Sequence, residues 1–190
     1  MNLRRSLSRI RLRLANSDAS ALSWPDLEYF DRSWIQRIAA MARHIGPGES
    51  VTDLGCGRMW LKKFLDRNPY YPVDYRRRSF DTYIADFNRR EFPCFLSDVA
   101  FVSGTLEYLD DPAWFISMIG RHCRKCIISY STKELFPDVT GRRDKAWRND
   151  LSRSELISLF ERNNMALKKE DLSVGGTHIF VFQSAIRICC

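Results

Sequence analysis

No run of about 18 apolar residues occurs in this chain, so a transmembrane helix is not expected. Cysteine is present but sparse: positions 56, 94, 123, 126, 189 and 190, dispersed in a medium-sized chain with no apolar signal segment. That usage excludes a small disulfide scaffold and implies reduced thiols and a cytoplasmic location. Cys123-x-x-Cys126 has only His122 beside it and no second CxxC pair, too few ligands for a zinc site. Buried or half-buried thiols are expected there, and no metal. Cys189-Cys190 does not match a prenylation box. Excess positive charge is also scarce outside one end. Of the net +7, residues 1–20 carry +4, through Arg4, Arg5, Arg9, Arg11 and Arg13 against Asp18. The remainder is mildly basic, and no nucleic-acid partner is expected from it.

What is present is ordinary for one soluble domain: 190 residues, 45% hydrophobic and 28% charged. The organisation read from the pattern is a basic arm over residues 1–20 and a single domain over 21–190. In the arm, Leu3, Leu7, Ile10 and Leu14 fall near one helical face with Arg on the others. Three readings stand for it: a solvated tail, a weak contact with an anionic membrane surface, and an Arg- and Ser-rich transit segment.

The chain is organised around Ser50–Leu65, SVTDLGCGRMWLKKFL. An apolar lead ends in Asp53, then come Gly55, Cys56 and Gly57, and a helix-like run follows with Trp60, Leu61, Phe64 and Leu65 as its buried face. Strand, glycine turn and helix in that order place free N–H groups and a partial positive charge at the carboxyl end of a strand. Glycine there lets a ligand approach without a Cβ in the way. A dinucleotide fingerprint, G-x-G-x-x-G, is broken by Trp60.

Ser23–Ile45 reads as a lead-in and a helix, with Phe30, Trp34, Ile35, Ile38, Met41, Ala42 and Ile45 at three- and four-residue spacing. Gly46-Pro47-Gly48 stops it. Downstream, Tyr70–Asp74 predicts a second strand ending in an acid. Asp74 lies 17 residues past Gly57, a place from which a carboxylate can accept both hydroxyls of a ribose. Asp81–Asn88 predicts a third strand ending at Asp86, and Asp98–Val102 a fourth, running into SGTLEYLDDPAWF. Asp110-Asp111-Pro112 starts a helix, and Cys126–Tyr130 is a fifth strand. Ser131–Leu151 is long, polar and rich in turn formers, read either as a substrate lid or as a surface excursion. Ser152-x-x-Glu155 is a capping box for a last helix. Two β-rich runs joined at Gly175-Gly176 signal a closing hairpin.

These pieces together resemble the class I S-adenosylmethionine-dependent methyltransferases. The likeness covers roughly residues 24–184 and rests on Asp53–Gly57, Asp74, Asp86–Phe87, the Leu106-Glu107 turn and the hairpin. Met59 stands where that family has a third glycine, which implies a narrower loop. The resemblance implies an α/β, Rossmann-like doubly wound sheet, mostly parallel and closed by an antiparallel hairpin at the C-terminal end. It implies S-adenosylmethionine as cofactor, with Asp53, Gly55, Cys56 and Gly57 against its methionine part. Asp74 then meets the ribose, Asp86 and Phe87 the adenine, and Gly104 and Thr105 line the pocket. A helix over 24–45 caps it; Trp24 and Tyr29 are candidates to face it, while Trp34 suits core packing.

Direct displacement at an activated methyl group needs alignment above all, and a hydroxyl acceptor also needs a base. Many relatives have His beside the Leu-Glu pair; Thr105 and Tyr108 stand there instead. Glu107 and Tyr108 are the candidates by position, His178 a weaker one, and Glu107 is equally read as a structural acceptor. If 131–151 is a lid, its Arg142, Arg143 and Trp147 suit a small-molecule, saccharide or lipid-linked acceptor. Two other readings stay open: a catalytically silent S-adenosylmethionine-binding or regulatory protein, and a dinucleotide-dependent oxidoreductase, which Trp60 and the hairpin oppose.

Overall fold

A computed structural model describes residues 22–173 and 175–184. The basic arm, Val174 and the Cys189-Cys190 tail lie outside the described residues. Seven strands form one sheet in the order β3-β2-β1-β4-β5-β7-β6. They are β1 Val51–Leu54, β2 Tyr70–Asp74, β3 Tyr83–Ile84, β4 Ser97–Ser103, β5 Cys123–Tyr130, β6 Met165–Leu172 and β7 His178–Ser184. The first five are parallel; β7 pairs antiparallel with both β5 and β6. The fold is the expected mostly parallel sheet with an antiparallel hairpin. Gly175 and Gly176 turn it at φ +112° and +78°, values open to glycine at no steric cost.

Side-chain alternation along the strands feeds two cores, one on each sheet face. Ala100, Val102, Ile128, Phe180 and Phe182 point to the face covered by α3 (Pro112–His122) and α5 (Arg153–Glu161), whose Phe115, Ile116, Leu156 and Phe160 complete it. Val51, Val99, Phe101, Ile127 and Ile179 point to the other, covered by Ile38, Met41 and Ala42 of α2 (Trp34–Ala42). The helix starts are chemically defined. Asp111 accepts the Trp114 amide at 3.0 Å, with Pro112 in the first turn. Ser152 and Glu155 exchange two bonds, of 3.1 and 2.7 Å, in the predicted capping box.

Three expectations change. The run after the glycine turn is a 3₁₀ segment, Trp60–Phe64, rather than an amphipathic α-helix; Leu61 is buried but Phe64 is 40% exposed. Asn68-Pro69 leaves too few residues to repay helix nucleation there. The third strand shrinks to Tyr83–Ile84, because Thr82 Oγ1 accepts the amides of Arg78 and Ser79 and closes a turn where strand was expected. The 131–151 stretch is ordered around α4 (Val139–Asp144), and before it comes α1 (Trp24–Leu27), separate from α2. Cys123 and Cys126 lie in the core, where burial pushes the Cys123 thiol up to about 11. No helix among the described residues is long and apolar enough to cross a membrane.

Candidate active site

β1 is buried at all four positions between two neighbours, so its carboxyl end meets a turn that the chain must make in little space. The amides of Gly55 and Cys56 both donate to Val73 O at 2.9 Å. Gly55 sits at φ +84° and Gly57 at +49°. Met59, in the place of a further glycine, also takes the left-handed region, at φ +52°. The loop therefore keeps a glycine-like path at a backbone cost of about 1–2 kcal/mol. A Cβ on Gly55 would stand 2.2 Å from Thr105 Oγ1, which itself donates to Leu54 O at 3.0 Å. A Cβ on Gly57 would stand 2.6 Å from Phe30 Cε1. Both glycines are thus required by the protein's own packing, where the sequence pointed only to a ligand.

Two carboxylates line this turn. Asp53 is 4% exposed and accepts the Tyr70 hydroxyl at 2.7 Å. Burial pushes its carboxyl up to about 7; the Tyr70 bond opposes that and the nearby Asp74 charge adds to it. Asp74, 3% exposed at the end of β2, accepts the Gly57 amide at 2.9 Å and the Arg78 guanidinium at 3.0 Å. Arg78 also pairs with Glu28, which accepts the Tyr75 hydroxyl at 2.6 Å and pairs with Arg76. These ion pairs draw the segment after α1 over the end of β2.

The next wall comes from Asp86–Asn88. Asp86 caps a short 3₁₀ turn by accepting the Asn88 amide at 3.0 Å. Phe87 is buried, its ring 4.8 Å from Phe115 and 6.1 Å from Phe92, yet it reaches the cavity edge. At the end of β4, Gly104 (φ +67°) donates to Ser129 Oγ at 3.0 Å. Aromatic rings roof the space: Trp24 lies 4.7 Å from Tyr108 and 5.9 Å from Phe30, whereas Tyr29 packs 5.3 Å from Trp34 and does not line the cavity. Trp34 faces this cavity rather than only the core. The cavity volume is about 280 Å³.

The two candidate bases part company. Tyr108 lines the cavity; burial raises its phenol, and the Trp147 side chain is hydrogen-bonded to it. Glu107 is 2% exposed and lies behind the wall, one oxygen accepting the Ser131 amide at 3.0 Å and Oε2 without a partner. Burial raises its carboxyl, against the backbone bonds and Arg37.

The 131–151 residues are placed as follows. All five N–H groups of Arg142 are engaged: by Asp150, the Ser131 and Phe136 carbonyls, the Tyr130 hydroxyl and the Asn149 carbonyl, at 2.7–3.2 Å. At 1% exposed it is a buried hub with no donor left for an acceptor. Arg143 donates to Trp147 O and Asp150 at 3.0 Å. Trp147 packs 5.3 Å from Phe136 and under the Arg142 guanidinium at 4.9 Å. Arg148 does reach the cavity and pairs with Asp110 at 2.8 Å. Sequence reading missed Arg37 as a cavity residue. Arg37 sits at a helical position whose i±3 and i±4 neighbours include Trp34 and Met41, a signal that a polar residue flanks the apolar stripe.

No protein-family model and no curated protein matches the sequence. Among solved structures, a chain of the complex between the Haloferax volcanii Trm112 methyltransferase activator and its methyltransferase overlays with a TM-score of 0.67, at 15% identity, over 84% of this chain and 92% of that one. The magnesium protoporphyrin IX methyltransferase ChlM of Synechocystis PCC 6803, solved with bound S-adenosylhomocysteine, gives 0.61 at 13% identity over 94% of each chain. The Burkholderia thailandensis 1,6-didemethyltoxoflavin-N1-methyltransferase gives 0.63 at 14%, over 82% and 80%. The fold is that of the class I S-adenosylmethionine-dependent methyltransferases.

Proposed function

We propose that this chain binds S-adenosylmethionine and transfers its methyl group to a small-molecule acceptor. One observation carries the reading: the glycine turn, Asp74, Asp86–Phe87 and Gly104–Thr105, drawn from four strand ends, converge on a single aromatic-roofed cavity. Ligands of open α/β sheets bind at such carboxyl ends. Solved neighbours carrying S-adenosylhomocysteine or S-adenosylmethionine support the cofactor.

The residues fit the group by chemistry. Asp53 is a buried carboxyl at the cavity, suited to an ammonium group; Gly55, Cys56 and Gly57 present backbone to the ligand's tail. Asp74 accepts ribose hydroxyls, and Asp86 with the Phe87 ring takes the adenine edge and face. Gly104 and Thr105 close the side toward the acceptor. When bound, the cofactor supplies an already activated methyl carbon, so the protein's part is to exclude water and align the acceptor. Such alignment is worth on the order of 7–11 kcal/mol. The Trp24, Trp34 and Phe30 rings serve both ends. Tyr108, its phenol neutral, orients the acceptor rather than removing a proton. Arg148, rather than Arg142, is the residue of the 131–151 stretch that meets the acceptor.

A second reading, cofactor binding without transfer, draws on Glu107 being walled off and Tyr108 being a poor base. The two separate in one experiment. Incubation with methyl-labelled S-adenosylmethionine and a metabolite extract is expected to yield a labelled small molecule. Binding without any labelled product would favour the silent reading.

A further inference from the structure

Half of the large apolar side chains left exposed among the described residues gather at the β3 edge of the sheet: Tyr71, Phe80, Tyr83, Ile84 and Leu96. β3 is the last strand on that side, so no further strand covers them. Phe95 ties the patch together, its ring 5.2 Å from Tyr71 and 5.9 Å from Tyr83. Phe80, in the loop between β2 and β3, is 92% exposed. Leaving that ring in water forgoes the gain of burying it, and a clustered apolar patch with a polar rim marks a contact surface. The rim here is basic. Over 75–91 the exposed charged side chains are Arg76, Arg77, Arg89 and Arg90 against Asp81 and Glu91. Arg77 donates to the Phe80 carbonyl at 3.3 Å, which sets a cation beside the exposed ring. Arg89 and Arg90 pair with Asp86 and Asp111 at the surface, and such pairs are weak enough to be exchanged for another anion.

We propose that this face docks on an anionic lipid surface, with Phe80 and its apolar neighbours entering the headgroup boundary and the arginine rim meeting lipid phosphates and carboxylates. Three observations choose this occupant. A second copy of the chain would bring the same arginines against each other. A strand from another protein would find only the two residues of β3 to pair with. The chain's remaining excess of positive charge also starts from this corner. Residues 1–20 carry net +4, with Leu3, Leu7, Ile10 and Leu14 at helical spacing, and lead into Ser23. Glu28, a few positions on, pairs with Arg76 and Arg78 of the loop that bears Phe80. A basic apolar patch beside a basic arm supplies the two signals that stable attachment takes. The docked face adjoins the cavity, since Asp86 and Phe87 of its wall follow Ile84 closely in the chain. The inference stands without the methyltransferase reading.

The test is co-sedimentation of the full chain with vesicles of phosphatidylcholine alone and of equimolar phosphatidylcholine and phosphatidylserine, at low and at high salt. The proteins are wild type, Phe80→Ser, Arg77→Gln and, on the opposite edge strand β6, Leu172→Ser. All three positions are exposed in the fold, and circular dichroism melts confirm that each variant is folded. The expected result is binding to the serine-containing vesicles that salt weakens. Partitioning should fall about tenfold in Phe80→Ser and about fivefold in Arg77→Gln, and stay unchanged in Leu172→Ser. A Phe80→Trp variant should gain quenching by brominated acyl chains beyond that of wild type, which places the loop in the bilayer boundary. If wild type does not sediment with serine-containing vesicles, the inference is overturned. Equal binding by wild type and Phe80→Ser overturns it too, because attachment then belongs to the arm alone. So does an equal loss in Leu172→Ser, or no added quenching at position 80. Sedimentation velocity without vesicles covers the other occupant: a concentration-dependent dimer that Phe80→Ser abolishes makes the face a self-contact and removes the lipid assignment.

Discussion

The Gly57 amide donates to Asp74 Oδ2 at 2.9 Å, so one buried carboxylate fastens the glycine turn after β1 to the end of β2. Its other oxygen holds Arg78 at 3.0 Å, and through Arg78 the segment bearing Glu28. Asp74 is therefore part of the site's scaffold as well as of its proposed ligand surface, and a variant there has to be read for both stability and affinity.

Gly55 is the least replaceable position of the turn. Gly55→Ala drives a Cβ into Thr105 and keeps an L-residue at φ +84°. A loss of about 2–3 kcal/mol in urea unfolding is expected. Adding Thr105→Gly should recover only the steric part. A Gly55→Ala variant as stable as the parent would contradict the packing described.

Met59 predicts the opposite sign. It holds φ +52° where a glycine would be unstrained. Met59→Gly should raise stability by about 0.5–1 kcal/mol, the relief of strain outweighing the extra freedom of the unfolded chain. Thermal melts decide it, and an unchanged or lower midpoint counts against the claim of strain.

Asp53 predicts a pH dependence. Its carboxyl ordinarily ionises near 3.8 but in the fold near about 7. Between those values the native state holds the proton that the unfolded chain has lost, so stability falls as pH rises through the window and levels off above it. The drop is on the order of 4 kcal/mol. Asp53→Asn should flatten that slope in unfolding curves taken from pH 4 to 8. Because the ionised form attracts an ammonium group, S-adenosylmethionine affinity should rise from pH 6 to 8 in the parent and not in the variant.

Arg142 tests the 131–151 stretch. With five donors buried among backbone and side-chain acceptors, Arg142→Met leaves Asp150 and three carbonyls without their shared partner. A loss of about 3–5 kcal/mol is expected, with S-adenosylhomocysteine affinity in the folded fraction unchanged. A stable variant that loses only acceptor turnover would restore the substrate role that the sequence suggested.

How much was legible follows from the range of the contacts. The glycine turn, Asp74 at the end of β2, the α3 and α5 starts and the hairpin are written in residues a few positions apart, where local chemistry decides. The roof and the ion pairs are not. Phe30 covers Gly57 from 27 positions away, and Arg37 meets Ser103 across 66. Arg142 read as a lid residue suited to the acceptor because its neighbours are polar and turn-forming. Its burial depends on Tyr130 and Asn149 folding around it, and no periodic pattern announces that. The run after Met59 looked helical because apolar spacing alone does not say how few residues Asn68-Pro69 leaves.

The most direct measurement of the central claim is calorimetric titration of the purified full chain with S-adenosylhomocysteine, beside Asp74→Ala checked for folding by circular dichroism. The account predicts one saturable site per chain, and a loss of affinity of at least about tenfold in the folded variant, since the proposed acceptor of ligand hydroxyls is gone. No saturation in the parent at millimolar ligand, or equal affinity in the two proteins, would contradict it.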